Sequence, residues 1–352
     1  MPAKHFSTET ETKAMIVHAA ALRRLALGLS TAALAAAAGL APAAAQDITM
    51  RLHTLVQDPH PYNDMAAFMA EEIAQRTNGA IEIDIFPGAT LGNDPAVIGE
   101  MALGTIDLMI SSTNNAESTV PELAIFSMPY LFAGFDDLME KVGPDSAVED
   151  YFQQLFQDND TGMVLLALGG SGTRNLSTAT GPVVQVADIQ GVNMRVPPSP
   201  MISRTWEALG TVPVSVAWAE LYAAIQTGVA DALESSIPGY MGSHLYEVAP
   251  NLALTAHTIQ VNHVSMSELT WDRLSEEQRQ IFLDVAAEAS VLGVEQAIAY
   301  ESEFIGQLES EHGVTVTQPD IAEFQEVLAP VQEELAEDLG LSEQLAIVRG
   351  EN

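Results

Sequence analysis

The sequence predicts an α/β protein of two lobes. Three observations carry that reading. Short apolar or alternating runs interchange with amphipathic helical stretches over the full length. The 352 residues exceed one ordinary domain. No low-complexity tether follows Gln46, so the lobes must be joined by strands crossing between them. No fixed period repeats, which excludes a solenoid.

Taken in order, Ile48–Thr54 alternates and carries enough β-branched residues for a strand. Pro61–Arg76 sets Met65, Phe68, Met69 and Ile73 at helical spacing, and Asn78-Gly79 ends it. Ile81–Phe86 alternates again. Pro95–Leu103 is a short helix stopped by Gly104, with a strand at Ile106–Ile110. Met163–Leu168 is a continuous apolar run, the pattern of a strand covered on both faces. Val192–Val196 is a strand closed by Pro197-Pro198. Helices follow at Met201–Leu209 and Ala219–Thr227, with strand pieces at Val212–Val214 and Ala232–Leu233. Thr258–His263 reads as a further strand. Ser275 to Glu311 is almost unbroken helix, and Ser275 with Gln278 fits a capping box. Val314–Thr317 is a short strand, and helices fill most of the remainder.

Apolar residues make up 47%, enough for packed cores and too many for a disordered acidic chain. Lys+Arg number 13 against 48 Asp+Glu, a net charge of −35. No basic surface can replace counterions, which excludes nucleic acid as a partner and disfavours docking on anionic lipid. The absence of cysteine excludes disulfides, thiolate zinc sites, iron–sulfur clusters and a cysteine nucleophile.

Arg23-Arg24, the apolar run after it and Ala43-Ala44-Ala45 read as a secretory signal cleaved after Ala45, which predicts a periplasmic protein starting at Gln46. Gly28, Gly39 and Pro42 disfavour a transmembrane anchor. The flanks of Arg23-Arg24 do not complete a twin-arginine signal, and a start at Met15 would give an ordinary n-region. Removing 45 of 352 residues leaves 307. Losing Lys4, Lys13, Arg23 and Arg24 leaves nine of 13 basic residues, and losing Glu9 and Glu11 leaves 46 of 48 acidic ones, net −37. Such a charge disfavours self-association, so a monomer is expected.

No P-loop, H-E-x-x-H or other cofactor motif occurs, so no cofactor is expected. Gly169-Gly170-Ser171-Gly172 fits neither a dinucleotide loop nor a nucleophile elbow and reads as a turn. Asp158–Gly162 opens like a calcium loop but lacks its later glycine and glutamate, so a helix-to-strand turn is expected. His257 and His263 are either a metal pair or ordinary strand histidines, with no third ligand evident. Carboxylates are so abundant that no pair of them argues for a glycosidase.

The few cations are unevenly placed. Three of the nine, Arg174, Arg195 and Arg204, fall within 31 residues. Arg174 and Arg195 follow or end strands, where ligands of open α/β sheets sit. A guanidinium grips a carboxylate with two parallel bonds. Each arginine either binds an anion or pairs with one of the 46 carboxylates; for Arg204, in mid-helix, the ion pair is expected.

Eight segments in order then resemble one family. They are Phe86–Gly92, Gly104–Leu108, Met128–Phe132, Gly172–Arg174, Asp188–Gly191, Met194–Pro197, Glu220–Gly228 and Val229–Glu234. From Ile48 to about Gln332 the chain looks like the dicarboxylate-binding type of substrate-binding protein of tripartite ATP-independent periplasmic (TRAP) transporters. The resemblance implies a two-lobed periplasmic-binding fold of type II with a long helix spanning both lobes, and no enzyme activity. It implies lobe I at 46–171 with about 261–299 returning, and lobe II at 172–260 with about 300–352 returning. It implies capture of an organic acid, a dicarboxylate or sugar acid, for delivery to membrane permease subunits. By that resemblance Arg195 grips the carboxylate, Arg174 contacts the ligand and Trp218 packs on it. Ser112 stands where some members place a pocket glutamate. Ser235 stands where many place an asparagine. Asn114 is a further polar candidate that would suit a hydroxylated acid. His53, Asp58 and His60 either line the cleft or form a loop at a strand end. The alternatives are a component of an ATP-driven uptake system, a secreted hydrolase whose nucleophile is not evident, and a scaffold without a ligand.

Overall fold

A computed structural model describes residues 48–351; the expected signal segment lies outside the described residues. Strand β1 (Ile48–Thr54) leads through helix α1 (Pro61–Arg76) to β2 (Ile81–Phe86), and through α2 (Asp94–Ala102) to β3 (Leu108–Ser112). Two 3₁₀ segments, Thr113–Ala116 and Pro121–Ser127, precede α3 (Phe135–Val142) and α4 (Ala147–Asp158). The 16-residue β4 (Met163–Thr178) follows, then β5 (Asn193–Val196), α5 (Pro200–Ala208), β6 (Val212–Ser215), α6 (Leu221–Gln226), β7 (Ala232–Ser236) and α7 (Ile237–Gly242). The 17-residue β8 (Asn251–Ser267) leads through α8 (Glu268–Trp271) to the 35-residue α9 (Glu276–Ser310). β9 (Thr315–Thr317), α10 (Ile321–Asp338) and α11 (Ser342–Arg349) complete the chain.

The strands form one mixed sheet in the order β2-β1-β3-β8-β4-β7-β5-β6, with β9 also on β8. Parallel pairs lie at its two ends, where α1, α2, α5 and α6 make the crossovers, and β9 adds a parallel pair on β8. The long antiparallel pair β4–β8 belongs to both halves. β8 pairs β3 near its end, Met266 opposite Leu108, and β9 at its start, Asn251 opposite Thr315. β4 pairs β7 only from Arg174 to Thr178. Two lobes are thus joined by crossing strands, as the lack of a tether predicts.

Helix α9 ties them a third time. Its Phe282, Val285, Ala286 and Ala289 pack with Met50, Met65 and Met69 of the first lobe, and its Phe304 and Leu308 pack with Tyr240 and Leu245 of the second. The capping box starts it: Ser275 Oγ accepts from the Gln278 N–H at 3.2 Å, and Gln278 Oε1 accepts from the Ser275 N–H at 2.9 Å.

Two expectations need correction. Gly169-Gly170-Ser171-Gly172 is not a turn but the middle of β4. The glycines serve close packing: a Cβ on Gly169 would stand 2.9 Å from the Ser290 Cβ of α9. Gly172, at φ +137°, occupies a register shift between Gly170 and Thr173. Second, β8 begins at Asn251, well before Thr258. Most of its polar positions are buried, Thr255 Oγ1 pairing with His257 Nδ1 at 2.8 Å, so the apolar pattern that marks a strand is absent there. Asp158–Gly162 is the turn between α4 and β4, and Arg204 pairs with Asp338 at 2.5 Å as expected.

Candidate ligand-binding site

The carboxyl ends of β1, β3, β5 and β7 face one another across β4 and β8, the usual ligand position in open α/β sheets. There they line a cavity of about 420 Å³, counting its open side. Seven of the nine candidates line it: His60, Ser112, Asn114, Arg174, Arg195, Trp218 and Ser235.

Arg195 arrives on β5, between β6 and β7. Its Nε donates to the Val216 carbonyl at 2.9 Å. Its guanidinium lies 5.8 Å from the centre of the Trp218 ring. The residue is 1% exposed, and Nη1 has no hydrogen-bond partner among the described residues. Burial lowers its pKa to about 10, with the Glu234 charge opposing and Arg174 adding. It is therefore a cation at neutral pH with no ion-pair partner among the described residues, a costly arrangement unless an anion joins it.

Arg174, on β4, is spent differently. Its Nε and Nη2 donate to the two carboxylate oxygens of Glu234, Nη2 also to the Glu234 carbonyl at 3.2 Å, and Nη1 to Gln260 Oε1. Burial alone would raise the Glu234 carboxyl, but Arg174 and His257 hold it well below the carboxylate range. His257 Nε2 lies 3.5 Å from Glu234 Oε2, and burial lowers its own pKa. The pair Arg174–Glu234 is neutral overall, so the cavity's net charge is the single charge of Arg195.

The polar candidates are arranged around these two. His60 caps α1: its Nδ1 accepts from the Tyr62 N–H at 3.2 Å, which leaves the hydrogen on Nε2. Burial, with Arg174 nearby, lowers its pKa to about 3, so it is a neutral donor. Ser112 donates to Asn114 Oδ1, Asn114 to Asn115 Oδ1 at 2.9 Å, and Ser235 to the Ser236 carbonyl at 3.0 Å. His53 and Asp58 do not line the cavity. His53 is fully buried beneath it with Nε2 2.9 Å from Asp94, because the end of β1 points its ring into the lobe. Asp58 is exposed and accepts from Asn63 at 2.7 Å.

Tyr62 and Gln260 are lining residues that sequence reasoning missed. The Gln260 amide donates to the Tyr62 hydroxyl at 2.7 Å, across 198 positions of sequence. Gly239 is another. A Cβ there would stand 2.9 Å from Ser235 Oγ and 3.2 Å from both Ser236 Oγ and Trp218 Cη2. His257 and His263 lie apart in function: the first faces Glu234 and Trp206, the second bonds Ser265 at 2.8 Å and faces Phe156.

Known proteins share this architecture. A solute-binding protein of Roseobacter denitrificans is 30% identical over 315 residues, covering 88% of this chain and 94% of its own. The C4-dicarboxylate-binding periplasmic protein DctP of Rhodobacter capsulatus is 28% identical over 345 residues, covering 93% of this chain and 98% of its own. A TRAP periplasmic solute-binding protein from Polaromonas, solved bound to D-erythronate, superposes with a TM-score of 0.79 at 26% identity over 86% of this chain and 98% of its own. The profile of the DctP family, bacterial extracellular solute-binding protein family 7, matches residues 52–338. With that match over most of its length, and a sheet and cleft of the same plan, this chain belongs to the DctP family of TRAP-transporter solute-binding proteins.

Proposed function

We propose that the protein captures a small organic acid outside the cytoplasm by its carboxylate, at Arg195, and passes it to a TRAP membrane permease. The observation that carries this is the buried Arg195 cation with an unpartnered Nη1 in a two-lobed cleft. His60, Trp218, Ser112, Asn114 and Ser235 shape the rest of the site. The lobes divide near 171 and 260, with the C-terminal segments returning to each, and a protein of this charge works as a monomer.

The charge balance favours a hydroxylated monocarboxylate, a sugar acid or its like. A C4-dicarboxylate would need Arg174 for its second carboxylate, and Arg174 already serves Glu234 and Gln260. That reading stays second, supported by the name of the Rhodobacter capsulatus relative.

A thermal-shift screen against mono-, di- and sugar carboxylates tests both. A ligand at about a thousand times its Kd stabilises the protein by about 4 kcal/mol. Arg195→Ala is expected to weaken binding roughly a hundredfold or more, since a charge-assisted bond contributes about 1.5–3 kcal/mol and stranding the carboxylate costs more. Unchanged affinity in that variant would refute the assignment.

A further inference from the structure

The Arg195 cavity does not end at Trp218. It opens into an interlobe groove of about 940 Å³, counting its open side, and the two spaces share Leu55, Asn115, Pro197 and Trp218. The walls change character at the indole. On the cavity side stand Arg195 and hydroxyl and amide groups. On the groove side Leu55, Pro95 and Ala96 of the first lobe face Pro198 and Ala217 of the second. The acidic side chain there, Asp94, is already engaged: its carboxylate takes the Ser111 hydroxyl, the Asn115 amide at 2.7 Å and the His53 ring at 2.9 Å.

Whatever Arg195 holds by a carboxylate therefore meets no cation and little polar surface further out. A second carboxylate in the groove would be stranded beside Asp94, and a polyol chain would lose water while reaching only Asn93, Asn115 and Ser118 for partners. An apolar substituent would gain on both counts, because the groove buries it between two apolar walls that move together as the lobes close. We propose that the groove is a second subsite, taking an aryl or branched alkyl group carried at the far end of the monocarboxylate. The inference rests on the Arg195 reading above and adds to it the size and polarity of the ligand's other end. Ligand class is thus set by two separate devices, a single buried charge for the head and the apolar groove for the tail.

A matched pair of ligands separates the two. Lactate and 3-phenyllactate present the same carboxylate and hydroxyl and differ only in the phenyl group; galactonate serves as the polyol reference. Calorimetric titration of the full protein is expected to give 3-phenyllactate at least tenfold tighter than lactate. Ala96→Asn and Ala217→Asn, one on each wall and neither adding a charge near Arg195, should each remove most of that advantage and leave lactate affinity within about threefold. Equal affinity for the pair, alongside tight binding of galactonate, would overturn the groove subsite and leave the carboxylate reading standing. A phenyl preference that survives both substitutions would also overturn it, placing the ring elsewhere. No binding of any acid, with Arg195→Ala equally inert, would instead sink the carboxylate reading, and the groove assignment with it.

Discussion

Glu234 neutralises Arg174 and leaves Arg195 charged, though both guanidinium groups are buried in one cleft. Which arginine meets the ligand is thus decided by a third residue, and no spacing in the sequence announces it. The same holds for Tyr62 and Gln260, whose polar atoms find each other only in the folded chain. What was legible were residues at strand ends, because the strand pattern itself fixes where they project. His53 shows the limit of that rule, since it stands at a strand end but its ring turns inward to Asp94. Gly239 shows how tightly the wall is drawn. Adding a methyl group there presses on Ser235, Ser236 and Trp218 together, and overpacking of that kind costs about 1–3 kcal/mol. Gly239→Ala is expected to weaken the cognate acid about tenfold while the fold persists. Calorimetric affinity equal to the parent's would show that the Trp218 wall does not touch the ligand.

At the level of elements, β1, β2 and α1 follow their sequence patterns to the residue, because each has one apolar face or strict alternation. The two central strands do not, since glycine and buried polar residues interrupt their pattern where α9 and the cleft press on them. The crossing of α9 over β4 explains why. A Cβ on Gly293 would stand 2.6 Å from Met65 Sδ and 3.4 Å from the Gly170 carbonyl. Close approach there, without side chains between, lets one helix serve two lobes. Gly293→Val should therefore destabilise by about 1–3 kcal/mol, which lowers Tm by several degrees at roughly 2–4 °C per kcal/mol. An unchanged Tm would mean that helix and strand are not in contact at this point.

The whole molecule carries opposing titrations. Burial lowers His60 to about 3, His263 to about 4, and His257 in the same direction. Unfolding lets them take up protons, so their contribution is lost as pH falls below about 6.5. Burial raises Glu117 and Glu149 to about 7 and Glu301 in the same direction, and their contribution is lost as pH rises from about 4.5. Between 4.5 and 6.5 the two sets offset each other. Below 4.5 the raised carboxyls are protonated in both states, and the histidines act alone with Glu234, whose depressed pKa adds loss in the same direction. Urea midpoints in moderate salt, which screens the general acidic repulsion, are expected to stay nearly level from pH 6.5 to 5. They should then fall steeply below 4.5, by about 1.4 kcal/mol per pH unit for each titrating group. A steady decline starting at pH 6.5 would contradict that balance. The crossing strands also order events in time. Leu108 of β3 has no neighbour on its second side until Met266 of β8 has been synthesised, so the two halves of the sheet are joined only by a strand made late in the chain. Pairing so remote in sequence is slow. A growing chain wired this way cannot complete either lobe until β8 is made, and that delay suits a polypeptide that must be threaded across a membrane before it folds.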